Sequence, residues 1–209
     1  PTPEPGDSTR GKPRADGDTY VSKTTGMKFA RIKAGKFLMG STISEKNRDP
    51  DEVIHEVIIP RDYYMGQYEV TRGQFRKFVE ETSYSTEAEK DGNGGWGYDA
   101  LTGKFKGPKY DDKKMLWSGT KTTYSWQKTG FTQTDDHPIV NVTWNDAAAY
   151  AGWLSTKDQC VYSLPTEAQW EYACRGGSVY RYHFGDDESI MSKYDNTADG
   201  AAKNKLNFL

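Results

Sequence analysis

The sequence predicts an irregular α+β domain with little regular secondary structure. Three observations carry that expectation: three short capped-helix patterns, several brief strand patterns, and a long stretch from Glu87 to Asp136 where periodicity fades. Aromatic residues make up 13% of the chain against 34% hydrophobic residues in all. A core pinned by Trp and Tyr is therefore expected, rather than one built from long aliphatic helices or parallel strands.

Residues 1–18 are rich in Pro, Gly and charge and have almost nothing to bury. Such composition cannot offset chain entropy and reads as a linker, with the domain running from 19 to 209. Met27–Ile32 and Lys36–Met39 read as short strands around Ala34-Gly35. Glu52–Ile59 and Asp62–Val70 read as two more, rich in Val, Ile and Tyr. Thr71-Arg72-Gly73-Gln74 is a capping box opening a helix to about Glu81. Phe75, Phe78 and Val79 then recur at helical spacing on one face.

Between Glu87 and Asp136, glycines alternate with large rings from Trp96 to Trp126. A loop of that length is functional or disordered, and the aromatics argue for order. The rings either nail the loop to the core or line a groove for an extended partner chain. Ile139–Val142 reads as a short apolar strand. Thr143 caps a second helix with Asp146 in its first turn, and Ala147, Tyr150, Ala151 and Leu154 mark its buried face. The third helix lies within Ser163–Gly177. Pro165 precedes it, Thr166 and Gln169 form its capping box, and Gly176-Gly177 ends it. Trp170, Tyr172 and Cys174 are expected to face inward from it. Residues 178–209 are polar and turn-rich.

Charge and motif content exclude several function classes. With 28 basic and 30 acidic residues the formal charge is −2, so no global field favours nucleic acid or an anionic membrane. No run approaches the roughly 18 apolar residues that span a bilayer. His55, His137 and His183 are separated by strands and loops, which argues against a histidine metal site. His137-Pro138 is expected to order a turn. No Gly-x-Ser-x-Gly elbow and no phosphate-cradling glycine loop is present. Cys160 and Cys174 fit an oxidised pair or two unpaired thiols equally well. Asn141-Val142-Thr143 is a glycosylation sequon, expected to be buried at a strand-to-helix junction. No catalytic residue is assigned.

Four ordered segments carry a resemblance. They are Phe37-Leu38-Met39-Gly40 with His55-Glu56-Val57; Tyr64 through Thr71 leading into Gln74-Phe75 and Phe78; His137 through Ala147; and Ser163 through Gly177. In order and spacing, from about Met27 to Leu209, they are similar to the formylglycine-generating enzyme family, also called sulfatase-modifying factors. Glu81 through Gly92 also resembles the same stretch in true modifiers. Ser163 stands where an Arg is usual, Gln169 where a Glu is common, and His183-Phe184-Gly185-Asp186 replaces a Pro-Trp-Gly-type segment.

The resemblance implies an irregular fold related to C-type lectins. It implies an activity in the intact protein: oxidation of a substrate cysteine by molecular oxygen at a cysteine pair that binds copper(I), an ion suited to soft thiolates. In the family that pair lies in the C-terminal part, and neither Cys160 nor Cys174 matches its positions. A cysteine at the position of Cys174 can bridge there to one much further along, and this sequence has no such partner. The family's structural calcium matches Asn196, by its side chain, and Thr197, by its carbonyl, oxygen donors that suit the ion. The implied partner is a sulfatase-type polypeptide, or a second chain completing the domain.

On this reading the chain is the front part of the domain, inactive as an oxidase alone and exposing apolar surface. Together with the linker composition, the resemblance implies an exported protein, periplasmic or extracellular. A lectin-like module that binds a ligand or protein without chemistry is the alternative.

Overall fold

Three threonines start the three long helices. In the computed structural model, residues 17–90, 94–99, 101–102, 104–111, 116–118 and 122–195 are described. The linker assigned to residues 1–18 lies almost wholly outside them. The order is β1 (Thr19–Val21), β2 (Lys28–Ile32), β3 (Gly35–Met39), β4 (His55–Ile59), β5 (Tyr63–Gly66), α1 (Arg72–Thr82) and α2 (Glu87–Lys90). Then follow β6 (Gly97–Asp99), β7 (Lys104–Lys106), β8 (Lys109–Asp111), β9 (Leu116–Ser118), α3 (Trp144–Asp158), α4 (Glu167–Arg175) and a 3-10 turn (Glu188–Lys193).

Thr71, Thr143 and Thr166 each accept the amide three residues on, and the side chains of Gln74, Asp146 and Gln169 accept the threonine amides in return. Each box satisfies donors left over at a helix start, worth about 1 kcal/mol apiece. All three helices close on a left-handed residue, but only α4 does so on a glycine, Gly176 at φ 54°. For α1 and α3 the residues are Ser83 (φ 54°) and Gln159 (φ 55°), a conformation costing about 1–2 kcal/mol in a side-chain-bearing residue. Tertiary contacts compensate it.

Those contacts are aromatic. Phe75 and Phe78 of α1, Tyr150 and Leu154 of α3, and Trp126 form the buried cluster. Phe75 meets Trp126 edge-on at 5.5 Å and stacks on Tyr150 at 5.8 Å, while Phe78 meets Trp153 at 5.6 Å. Beyond them Glu81 takes Lys157 at 2.8 Å. Successive pairs advance together, so the helices run alongside one another in the same sense. Each such ring pair contributes about 0.5–1.5 kcal/mol beyond area burial. Asp146, not Ala147, completes the buried face expected for α3.

The strands around Ala34 do not pair with each other. β2 lies between β1 and β5 in an antiparallel three-stranded sheet, and β3 pairs with β4 in a separate ribbon. Asp62 enforces the split: its carboxylate accepts the Ala34 amide at 2.7 Å and Arg31 Nε at 2.8 Å, fixing the corner between sheets. β4 is shorter than Glu52–Ile59 because Glu52 is taken by a clasp. Ser41 donates to its side chain and Arg48 to its carbonyl, each within hydrogen-bond range. β5 stops at Gly66, short of Val70; one further bond in the same register, from the Gln67 amide to the Lys28 carbonyl at 2.9 Å, ends its pairing with β2.

Ile139–Val142 is not a strand. Pro138 makes one bridge to Thr71, and Asn141 at φ 58° then turns the chain. Trp170 and Cys174 do not face inward; Trp170 is 58% exposed and Cys174 is exposed, while Tyr172 packs on Phe37 at 5.1 Å. Residues two apart on a helix point about 200° from one another, and residues four apart share a face. Once Tyr172 faces the ribbon, Trp170 and Cys174 must face away. Among the described residues of the aromatic stretch, two small antiparallel ribbons form, β6–β7 and β8–β9.

The C-terminal end of α3 carries Asp158, a carboxylate where the helix dipole disfavours one. Ser22 Oγ donates to it at 2.6 Å, the Thr24 amide at 3.2 Å and the Tyr162 hydroxyl at 2.8 Å. Burial alone would push this carboxyl up, but the donors from Ser22, Thr24 and Tyr162 outweigh it and hold it below the ordinary range. A group depressed in the fold stabilises it above the unfolded carboxylate range and loses that contribution as pH falls through the folded value. We expect Asp158→Asn to cost about 1 kcal/mol at pH 7, after discounting for solvent screening. In urea unfolding followed from pH 7 downward, the gap between wild type and variant should close below about pH 4. A gap of constant size would contradict this.

Candidate functional site

The N-terminal end of α3 gathers segments distant in sequence. Asp146 is fully buried, a position a carboxylate holds only with donors on its oxygens. The Tyr84 hydroxyl reaches Oδ1 at 2.9 Å, the Glu87 amide the same oxygen at 3.1 Å, and the Thr143 amide Oδ2 at 2.8 Å. Burial, then the bond to Asp146, pushes the Tyr84 phenol up to about 12, so it remains a donor throughout the physiological range. Thr86, also fully buried, donates by amide and hydroxyl to Glu89, each at 2.8 Å, and caps α2. Asn145 Nδ2 donates to Glu87 Oε1 at 2.7 Å. Residues 84–90 are thus clamped to α3, although they form only one turn of helix.

Asn141 ties in the aromatic stretch. Its Oδ1 accepts the Trp96 amide at 2.9 Å, and its Nδ2 donates to the Trp96 carbonyl at 2.9 Å and the Ser125 carbonyl at 3.2 Å. The sequon asparagine is half-buried rather than buried, and both its amide hydrogens are engaged. Trp126 is a core anchor at 2% exposure. Trp96, at 49%, and Trp144, at 71%, remain on the surface.

A second feature is a groove of 690 Å³ between the β3–β4 ribbon and the C-terminal end of α4, lined among others by Phe37, Ile54, Tyr172, Lys33, Lys36 and Arg175. Its end is closed by a clamp. Glu171 Oε1 accepts the Gly40 amide at 3.0 Å and Arg175 Nε at 2.8 Å, while Arg175 Nη2 donates to the Gly40 carbonyl at 2.7 Å. Gly40 sits at φ 97°, where a Cβ would meet the Val53 carbonyl at 2.8 Å, so only glycine fits. With Arg175 held by Glu171 and Lys36 held by Glu56 at 3.1 Å, these cations serve the scaffold, and the groove keeps an apolar body.

The histidines stay apart. His55 Nδ1 lies 2.8 Å from the Val53 carbonyl, His183 stands edge-on to Phe184 and Tyr194, and His137 orders a turn through Thr134, as expected. Among the described residues no group of three or more His, Cys, Asp or Glu is arranged for a metal ion. Asn196 and Thr197, the expected calcium ligands, lie outside the described residues. Cys160 and Cys174 are both free: the first is buried with Sγ 3.9 Å from the Tyr20 hydroxyl, the second exposed on α4. Thiols in such different surroundings do not fit a shared copper site, and no oxidation step is routed through them.

Sequence reasoning missed the roles of Asp146 as a buried hub, Asp158 as a clasp and Glu171–Arg175 as a clamp. Only the last had a signal, the Glu-to-Arg spacing of four on a helix.

Known proteins now place the chain. The Sulfatase-modifying factor enzyme 1-like domain family matches residues 18–208. A formylglycine-generating enzyme from Bos taurus is 36% identical over 159 residues, 72% of this chain and 40% of that protein. The inactive C-alpha-formylglycine-generating enzyme 2 of Bos taurus is 31% identical over 158 residues, 71% of this chain and 49% of that one. The chain thus spans less than half the length of these curated relatives. Among solved structures, PvdO from Pseudomonas aeruginosa is similar with a TM-score of 0.60 at 26% identity, over 85% of this chain and 57% of that one. With the family matched across nearly the whole length and the irregular α+β scaffold shared with PvdO, this chain belongs to the sulfatase-modifying factor enzyme 1-like domain family.

Proposed function

We propose that this chain forms the N-terminal part of a formylglycine-generating domain, whose complete form oxidises a cysteine in a sulfatase-type polypeptide with oxygen and copper. The observation that carries the reading is the 36% identity to a formylglycine-generating enzyme, extended over 159 residues. The clamp on residues 84–90 by Asp146 supports it, because that stretch resembles true modifiers and is held rigidly. On this reading the present residues supply the scaffold and the surface on which an extended substrate lies, with the 690 Å³ groove and the exposed Trp96 and Trp144 as its contact sites. The reactive thiols come from sequence beyond these 209 residues. Copper bound by them supplies the oxygen chemistry.

A second reading, a module that binds a polypeptide without oxidising it, is favoured by one observation: a relative at 31% identity is named as inactive. The same exposed rings would then serve binding alone.

The two readings separate in one assay. The protein from its complete reading frame, loaded with copper(I) under oxygen, is expected to convert the cysteine of a Cys-x-Pro-x-Arg peptide to an aldehyde, detected by hydrazide capture and mass. Residues 1–209 alone leave the thiol intact. A folded, copper-loaded complete protein that binds the peptide but yields no aldehyde overturns the oxidase reading in favour of binding.

The clamp gives a separate expectation. Asp146→Ala strands three donors and should destabilise the fold by about 3 kcal/mol or more. Tyr84→Phe removes one bond and should cost about 1 kcal/mol. Thermal unfolding of the two variants checks the order, and equal losses would show that Asp146 is not the hub.

A further inference from the structure

Strand β3 pairs on one side only. Its partner is β4, and the two make up a ribbon by themselves. Gly40 shows which backbone groups of β3 face the open side. The Gly40 amide leaves the ribbon for Glu171 at 3.0 Å. In a planar trans peptide the carbonyl points opposite to the N–H, so the Met39 carbonyl is directed toward β4. Backbone groups alternate sides along an antiparallel strand. The N–H and C=O of Leu38 and of Lys36 therefore face away from β4, while those of Phe37 and Met39 turn into the ribbon.

The 690 Å³ groove runs beside that open edge. Lys36, Phe37, Leu38 and Gly40 line it together with Tyr172 of α4, and no residue of β4 does. At the Gly40 end the clamp stops the edge, where Arg175 Nη2 donates to the Gly40 carbonyl at 2.7 Å. One strand repeat is left open, from Lys36 to Leu38, with two donors and two acceptors. An uncovered edge of this kind is a template for another chain. Apolar surface borders it, since Leu38, Val179 and Tyr180 are all exposed along the groove.

Charge narrows the occupant. Of the cations lining the groove, Arg31 is taken by Asp62, Lys36 by Glu56 and Arg175 by Glu171. Lys33 is exposed, forms no ion pair among the described residues, and has only a through-space attraction to Asp62. The groove thus has an apolar body, an unused strand edge and one cation to spare.

We propose that the open edge of β3 takes an extended segment of the substrate polypeptide as an added strand, with a carboxylate of that segment at Lys33. The proposal rests on the reading of this groove as a substrate contact site. Main-chain bonds to Lys36 and Leu38 hold the segment, and alternate side chains of it lie on the apolar wall. The segment flanks the Cys-x-Pro-x-Arg stretch, whose proline has no N–H to give to an edge carbonyl.

The test uses the complete protein without copper, so that it reads docking and not oxidation. The probe is a fluorescein-labelled Cys-x-Pro-x-Arg peptide with a flank of alternating Val and Thr that ends in Glu; its twin ends in Lys. In amide hydrogen exchange the acidic probe should slow Lys36 and Leu38 by about threefold to tenfold each, the worth of one hydrogen bond, and leave Phe37 and Met39 unchanged. By anisotropy it should bind about twofold to fivefold tighter than its twin, and Lys33→Gln should abolish the difference. Leu38→Pro removes a donor that faces away from β4, where an edge strand tolerates proline, and should weaken binding by about threefold to tenfold. Should that variant fold poorly, the wild-type exchange pattern decides alone. Protection gained equally at all four amides, or at none, overturns strand addition. So does protection of Lys36 and Leu38 without peptide in a protein that sediments as a dimer, which would give the edge to a second copy. The expected pattern in a protein that yields no aldehyde would overturn the oxidase reading and leave the strand site standing.

Discussion

Helix α3 carries a carboxylate near each end, and much of the structure depends on how the two are satisfied. Asp146, in the first turn, is closed off by the Tyr84 hydroxyl and the Glu87 amide. Asp158, at the last position, is met by Ser22, Thr24 and Tyr162. A charge removed from water must find donors or the fold is lost. Apart from Tyr162, these donors come from segments more than fifty positions away on one side and more than one hundred and thirty on the other. The aromatic seam between α1 and α3 supplies apolar energy but little direction, because rings pack in several geometries. The carboxylates supply direction. They fix where the first strand sheet and the segment after α1 attach to the same helix.

The same device explains how a chain so poor in regular structure holds long irregular stretches in place. Asn141 grips Trp96 by both backbone groups, Glu171 grips Gly40, and Asp62 grips Ala34. In each case one planar polar side chain substitutes for a ladder of backbone bonds. Such pegs are local and leave neighbouring residues free to vary in conformation. They suit a surface that must be shaped rather than repeated.

Sequence made the helices and their faces legible because capping and periodicity are local properties. Thr71 with Gln74 and Thr166 with Gln169 mark their helices at the right places, and Phe75, Phe78, Tyr150 and Leu154 all occupy the core. The family likeness was legible in ordered motifs, and the irregular α+β class with it. What stayed hidden is non-local. A three-residue strand such as β6 has no period to read, and the four residues of α2 are specified by Thr86 and Asp146 rather than by propensity. Trp170 and Tyr172 show the limit inside a helix: size suggested burial for both, while the 3.6-residue repeat forbids it. Asp146 and Asp158 look like ordinary helix-end residues until the partners arrive from elsewhere.

This separation of scaffold from chemistry bears on what family membership can mean. The pegs found here orient loops and strands, and the Tyr20 hydroxyl beside Asp158 also lies 3.9 Å from the Cys160 thiol. Under the proposed function, reactive groups on the segments so oriented could be lost or gained without breaking these bonds. It follows that a formylglycine-generating enzyme and a relative named as inactive can resemble this chain to a similar degree over a similar stretch. Identity across these residues measures how the platform is built. Under the proposed function, the cysteine chemistry is decided by the groups that the platform presents, which is why the aldehyde assay on the complete protein discriminates where further comparison of the scaffold does not.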